Sequence, residues 1–195
     1  PHVASAQFSI TDLGALPFLP EADLIVASGV NDRGQVVGVG CSPSDECHAF
    51  LWEAGSMIDL GTGPMSGAAA INDRGQVVGG ARHGGEETPT FAFLWRDGVI
   101  MELGTLGGTC ADAADINNRG QVVGRSCTAA EEEHAFLWQD GVMIDLGTLP
   151  GGTFSQASAI NNRGQVVGIS DSAQGLRAFL WEDGRMSELA PMPGR

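Results

Sequence analysis

A chain of 195 residues with a net charge of −14 lacks the basic footprint that displaces counterions from nucleic acid, and its charge opposes anionic lipid surfaces. No apolar run approaches the ~18 residues of a membrane-spanning helix, so neither nucleic-acid binding nor membrane insertion is expected. With 29 glycines and no tyrosine, the composition suits a turn-rich chain, and no linker interrupts a single domain over residues 1–195.

The first element is a short strand over residues 7–14, in Phe8-Ser9-Ile10-Thr11-Asp12-Leu13-Gly14. Four units of one kind follow, at about residues 26–63, 66–107, 110–151 and 155–192, each read as four strands at positions A to D. Position A is small and apolar: Ala27 to Val30, Ala68 to Ile71, Ala113 to Ile116 and Ala157 to Ile160. An Asn-(Asp/Asn)-Arg-Gly turn comes next, starting at Asn31, Asn72, Asn117 and Asn161, which lie 41, 45 and 44 residues apart. There Asn bonds its own backbone, and Gly accepts the positive φ of a hairpin turn or G1 bulge. Position B is Gln-Val-Val-Gly and position C is Ala-Phe-Leu-Trp, ending at Trp52, Trp95, Trp138 and Trp181. Ala54-Gly55, or an Asp-Gly pair in the other units, turns the chain into position D, which closes on Leu60, Leu103, Leu146 and Leu189. No stretch has the three-and-four apolar spacing of a helix.

Positions B and C are apolar at successive residues, as in a strand whose two faces are both covered. Propeller blades stacked against neighbours supply that cover, and units of about 40 to 50 residues with four strands are the propeller period. The expected fold is all-β: a four-bladed β-propeller, closed by the strand at 7–14 pairing with the last repeat. A trefoil-like or open β-array is the alternative.

The run His134-Ala135-Phe136-Leu137-Trp138, followed by Met143 to Gly152 and then Ser158 to Gly168, resembles the HAF (His-Ala-Phe) repeat of bacterial extracellular proteins. The resemblance extends from about Phe8 to Leu189. His48 and His134 keep the histidine, whereas Phe91 and Arg177 replace it, which argues against a fourfold ring of metal-binding histidines. The resemblance implies an extracellular or cell-surface location in a bacterium and no particular reaction.

The four cysteines fit that location. Cys110 and Cys127 are symmetric about Asn118-Arg119, and Cys41 and Cys47 flank a short loop, so two local disulfides are reasonable while other pairings stay open. An even count without CxxC spacing suits an oxidising compartment.

Function is confined to what differs between copies. Arg33, Arg74, Arg119 and Arg163 recur in the A–B turns and read as structural, pairing with nearby turn carboxylates. The tryptophans occupy one repeated place and read as packing. At the other end, the B–C loops diverge and are acidic: Asp45, Glu46, Glu86, Glu87, Glu131, Glu132, Glu133 and Asp171. Of these, Asp45, Glu46, Glu86, Glu87, Glu131, Glu132 and Asp171 are the candidate ligand-binding residues, since varied loops on a repeated scaffold are where binding sits. Oxygen-rich loops suit Ca²⁺ if any ion is taken, and no other cofactor is implied. His83 stands beside Glu86 and Glu87 in the second of these loops. Gly-x-Ser-x-Gly, HExxH, P-loop and dinucleotide motifs are missing, so no catalytic residue is assigned. The sequence reads as a monomeric module that binds a glycan or protein through its B–C and D–A loops. A structural module without a ligand is the alternative, ahead of a carboxylate-dependent glycan hydrolase or lyase.

Overall fold

The computed structural model describes residues 10–84 and 88–189. Sixteen strands form four antiparallel sheets, each with its strands in sequence order. Sheet 1 holds β1 (Leu24–Val30), β2 (Val36–Cys41), β3 (Cys47–Glu53) and β4 (Ser56–Asp59). Sheet 2 holds β5 (Gly67–Ile71), β6 (Val77–Arg82), β7 (Thr90–Arg96) and β8 (Val99–Glu102). Sheet 3 holds β9 (Gly107–Ile116), β10 (Val122–Thr128), β11 (Glu133–Gln139) and β12 (Val142–Asp145). Sheet 4 holds β13 (Ser155–Ile160), β14 (Val166–Ser170), β15 (Arg177–Glu182) and β16 (Arg185–Glu188). No helix occurs among the described residues.

The repeated turns form for local reasons. Asn31 O accepts the Gly34 amide at 2.9 Å, Asn31 N donates to Gln35 O at 3.1 Å, and Gly34 takes a φ of 75°. This is the three-residue hairpin with a G1 bulge. The Asn31 Oδ1 accepts the amides of Arg33 and Gln35 at 3.1 and 3.0 Å, which fixes the turn from inside. At the C–D turns two successive residues have positive φ, as at Asp140 (52°) and Gly141 (86°), the geometry that Asp-Gly favours.

Each A–B ladder slips by one residue inside strand A, between Ala27 and Gly29 in sheet 1 and between Ala157 and Ala159 in sheet 4. This slip corrects the simple two-residue hairpin register while preserving its outcome for the cysteines. The G1 turn shifts the pairing by one, the bulge shifts it back, and Cys110 and Cys127 meet in a disulfide. Cys41 and Cys47 face each other directly across β2 and β3 and form the second. Beside the slip, the last glycine of each Gln-Val-Val-Gly has no room for a side chain. A Cβ on Gly124 would stand 2.0 Å from the Asp112 carbonyl.

Sheets pack face to face in sequence order, which is why positions B and C are apolar throughout. Between sheets 1 and 2, Val37, Ala49, Leu51 and Leu60 meet Ala68, Ile71, Val77 and Phe93. The same chemistry joins sheets 2 and 3 around Phe136, and sheets 3 and 4 around Phe179. All four repeat phenylalanines are fully buried, and the tryptophans pack at the margins of these clusters. Burial of a side chain of this size contributes about 1.5–3 kcal/mol each, so the shared phenylalanine is the main anchor of every unit.

The fourth and first sheets share no packing of this kind among the described residues. The outer place in sheet 4, open in the sequence to either residues 7–14 or Met186 to Leu189, is filled by β16 on β15. Residues 10–14 form no strand, and residues 7–9 lie outside the described residues. The segment that follows turns to sheet 1 instead, where Leu16 and Leu19 pack on Phe50. Four propeller-type blades are thus present, packed in a row in sequence order, and no face-to-face packing that would close them into a ring occurs among the described residues.

Candidate functional site

The A strands lie side by side along the inner edge of the row, and their bulges leave a cleft between them. It has a volume of about 540 Å³ and takes residues from all four sheets. Ser28, Thr90, Asp112, Arg125 and Gln156 supply its polar groups, among small residues such as Ala68 and Ala113, and Met65 stands at the loop side. Small residues at position A make this space, because larger ones would fill it.

Asp112 is the distinctive group. It pairs in register with Arg125 and lies so close to Gly80 that a Cβ there would stand 2.4 Å from its Oδ1. Burial pushes its carboxyl above the usual carboxylate range, and the Arg125 charge opposes this only in part. Arg125 is itself engaged on its far side, with Nη1 donating to Glu133 at 3.0 Å. No hydrogen bond from a described residue holds the Asp112 carboxylate, so its acceptor capacity is open toward the cleft. The equivalent residues are Val26, Gly67 and Gln156, so the charge belongs to the third unit alone. Sequence reading passed over Asp112 because position A was defined from Ala113 onward. The available signal was an Asp beside an Ala-rich strand, in register with an Arg.

Of the acidic loop residues that the structure describes, none lines this cleft. Asp45 sits at φ 61° in the Ser42–Glu46 turn, and Glu46 meets His48 Nε2 at 3.3 Å. Glu131 accepts the Thr109 hydroxyl at 2.9 Å, and Glu132 lies 3.9 Å from His134. Asp171 accepts the amides of Thr153 and Phe154, both at 2.8 Å, and so pins the D–A loop of sheet 4. Glu86 and Glu87 lie outside the described residues. Among the described residues, the group of potential metal ligands close enough to share an ion is Cys110, Cys127 and Glu133, and both sulfurs are in the disulfide.

At the opposite end the turns hold one another. Asn31, Asn72 and Asn117 each donate Nδ2 to the main-chain carbonyl of the next turn's Asn at 3.0 Å. Asp73 accepts the Asp32 amide at 2.9 Å and the Asn118 side-chain amide at 2.5 Å, and these bonds hold its carboxyl below the usual range. Two of the repeated arginines reach over the next glycine: Nη2 of Arg33 stands 2.5 Å from where a Gly75 Cβ would be, and Nη2 of Arg119 stands 2.6 Å from that place at Gly164. The Arg33 charge also helps to lower the Asp73 carboxyl, so this arginine acts on a neighbouring turn carboxylate as well as by contact.

No protein-family profile matches the sequence, and no curated protein sequence matches it. Solved structures do resemble the fold. TolB from Acinetobacter baumannii superposes with a TM-score of 0.63 at 11% identity, over 87% of this chain and 44% of that one. An acylaminoacyl peptidase from Pyrococcus horikoshii gives 0.55 at 14% identity, over 88% of this chain and 32% of that one. A gluconolactonase from Xanthomonas campestris gives 0.50 at 13% identity, over 85% and 61%. The chain therefore spans less than two thirds of each of these proteins. At such identities the likeness is one of fold, and it supports the propeller reading of the four stacked sheets.

Proposed function

We propose that this chain is a secreted or cell-surface binding module of the HAF-repeat type, which takes a glycan or protein ligand at its loop-bearing end with the inner cleft as the seat. The observation that carries the reading is Asp112, a half-buried carboxyl beside Arg125 that accepts no hydrogen bond from any described residue. Ser28, Thr90 and Gln156 add neutral donors and acceptors around it, a mixture suited to hydroxyl or amide groups of a ligand. Asp45, Glu46, Glu131, Glu132 and Asp171, with Glu86 and Glu87, form the rim in this reading. The two disulfides support an oxidising location.

The test is a glycan array together with capture of bacterial surface and secreted proteins by the folded, oxidised chain. Asp112→Ala should weaken any captured ligand by about 10- to 100-fold, the worth of a hydrogen bond to a charged group. Retention of full affinity in that variant would remove the cleft as the seat, and blank results from both screens would end the binding reading.

A further inference from the structure

Three interfaces inside the chain repeat one chemistry, and among the described residues the rear half of a fourth is left exposed on sheet 4 and the strand β1 part of its front half on sheet 1. The rear half of each interface is a Val, an Ala and two Leu, buried in sheet 3 as Val123, Ala135, Leu137 and Leu146. Sheet 4 carries the same types in the same register, as Val167, Ala178, Leu180 and Leu189, yet Val167 is 39% and Leu189 44% exposed. The front half includes the last residue of strand A. Ile71, Ile116 and Ile160 are buried there, whereas Val30 of sheet 1 is 68% exposed. Leu16 and Leu19 cover Phe50 but leave β1 open.

The turn end makes the same statement in hydrogen bonds. Each turn donates an Asn Nδ2 to the next turn's Asn carbonyl, and the amide of the following residue to the next turn's Asp or Asn Oδ1. At sheet 4, Asn161 Nδ2 bonds only Gln165 of its own turn among the described residues, and Asn162 N has no such acceptor. At sheet 1, the Asn31 carbonyl and Asp32 carboxylate receive no donor from a preceding turn. Unspent donors at one end match unspent acceptors at the other, behind apolar faces that match in the same order.

We propose that sheet 4 of one copy of this chain seats β1 of a second copy, reproducing between chains the strand-A part of the interface repeated three times within each, while Leu16 and Leu19 keep their cover on Phe50. This departs from the monomer expected from the sequence. The contact is head to tail, so each copy offers both halves. An apolar face of this kind, flanked by directional polar groups, marks an interaction surface rather than a solvated one.

The test is sedimentation equilibrium on the oxidised chain up to about 100 μM, a range that populates interfaces of micromolar affinity. Wild type is expected to self-associate. Val167→Glu and Val30→Glu, each at a residue exposed in the single chain, should both be monomeric with an unchanged circular dichroism spectrum. An equimolar mixture of the two variants should recover a species of two copies, since each keeps the half that the other has lost. A monomeric wild type at the highest concentration overturns the proposal. So does self-association that survives both substitutions, which would place the contact on another face.

Discussion

Arg177 donates Nε to Glu188 at 3.1 Å in sheet 4, in the place where His134 meets Asp145 at 3.0 Å in sheet 3. The carboxylates are equivalent, each lying opposite the repeat phenylalanine. In sheet 2 the strand position holds Phe91, and the nitrogen partner comes from the loop instead: His83 stacks on Phe91 at 4.2 Å and reaches Glu102 at 3.1 Å. With His48 and Asp59 in sheet 1, all four sheets tie strand D by a contact between a side-chain nitrogen and a strand D carboxylate, through three different residue arrangements.

This interchange makes the side chain replaceable by another cation. His134→Arg should leave urea stability within about 0.5 kcal/mol of wild type, because Arg177 already fills the same place in sheet 4. His134→Ala should cost up to about 1 kcal/mol, the range of a partly exposed ion pair. Equal losses for the two variants would show that imidazole shape, not the contact with Asp145, is what matters.

Leu137 and Leu180 are equivalent in sequence and unlike in surroundings, since only Leu137 has a following sheet against it. Leu137→Ala should cost about 2–5 kcal/mol and Leu180→Ala less than half as much in dilute solution, as read from urea midpoints at constant m-value. Similar losses would mean that Leu180 is covered in solution at the concentration used.

The buried side chain of Asn72 makes four hydrogen bonds: to Gln76 Oε1, to the Asn117 carbonyl, and from the amides of Arg74 and Gln76. Asn161 lacks the bond to a following turn. Asn72→Ala is expected to cost about 2–3 kcal/mol because it strands buried partners, and Asn161→Ala about 1 kcal/mol less. Equal penalties would show that the within-turn bonds carry the whole effect.

Asp112 gives a signed pH dependence. A carboxyl whose folded pKa is raised favours folding when protonated, so its contribution is present at acid pH and is lost as pH rises through the folded pKa. Asp112→Asn should therefore raise the melting temperature at pH 7 and lose that advantage below about pH 4, the ordinary carboxylate range. A gain that persists unchanged at acid pH would point to a packing effect of the amide instead.

The parts of the fold that every unit must satisfy were legible in the sequence. Gly124 and its equivalents face a strand A carbonyl with no space for a Cβ, and Phe136 has one buried place in each interface, so selection of residue type is strict and visible. The disulfide Cys110–Cys127 was legible as well, because two one-residue shifts cancel. Closure was not. Val167 looks the same as Val123 on paper, and only packing against a neighbour distinguishes a buried face from a bare one. The cleft was missed for a related reason: the bulge that recurs in every strand A shows only in the pairing, and Asp112 belongs to the third unit alone. His83 illustrates the remainder, a loop residue that restores a contact its strand has lost.

Because, among the described residues, each sheet packs face to face only on its sequence neighbours, the molecule behaves as a short one-dimensional lattice whose cooperativity passes from unit to unit. Sheets 2 and 3 are held from both sides, while sheet 4 is held from one and sheet 1 has only the Leu16 and Leu19 cover on its outer side. Melting in such a lattice begins at its ends, so backbone amides of β6 and β10 should exchange with solvent last and those of β14 and β15 much earlier. The protection gradient along the chain would then record its boundary conditions, and any added neighbour would flatten it.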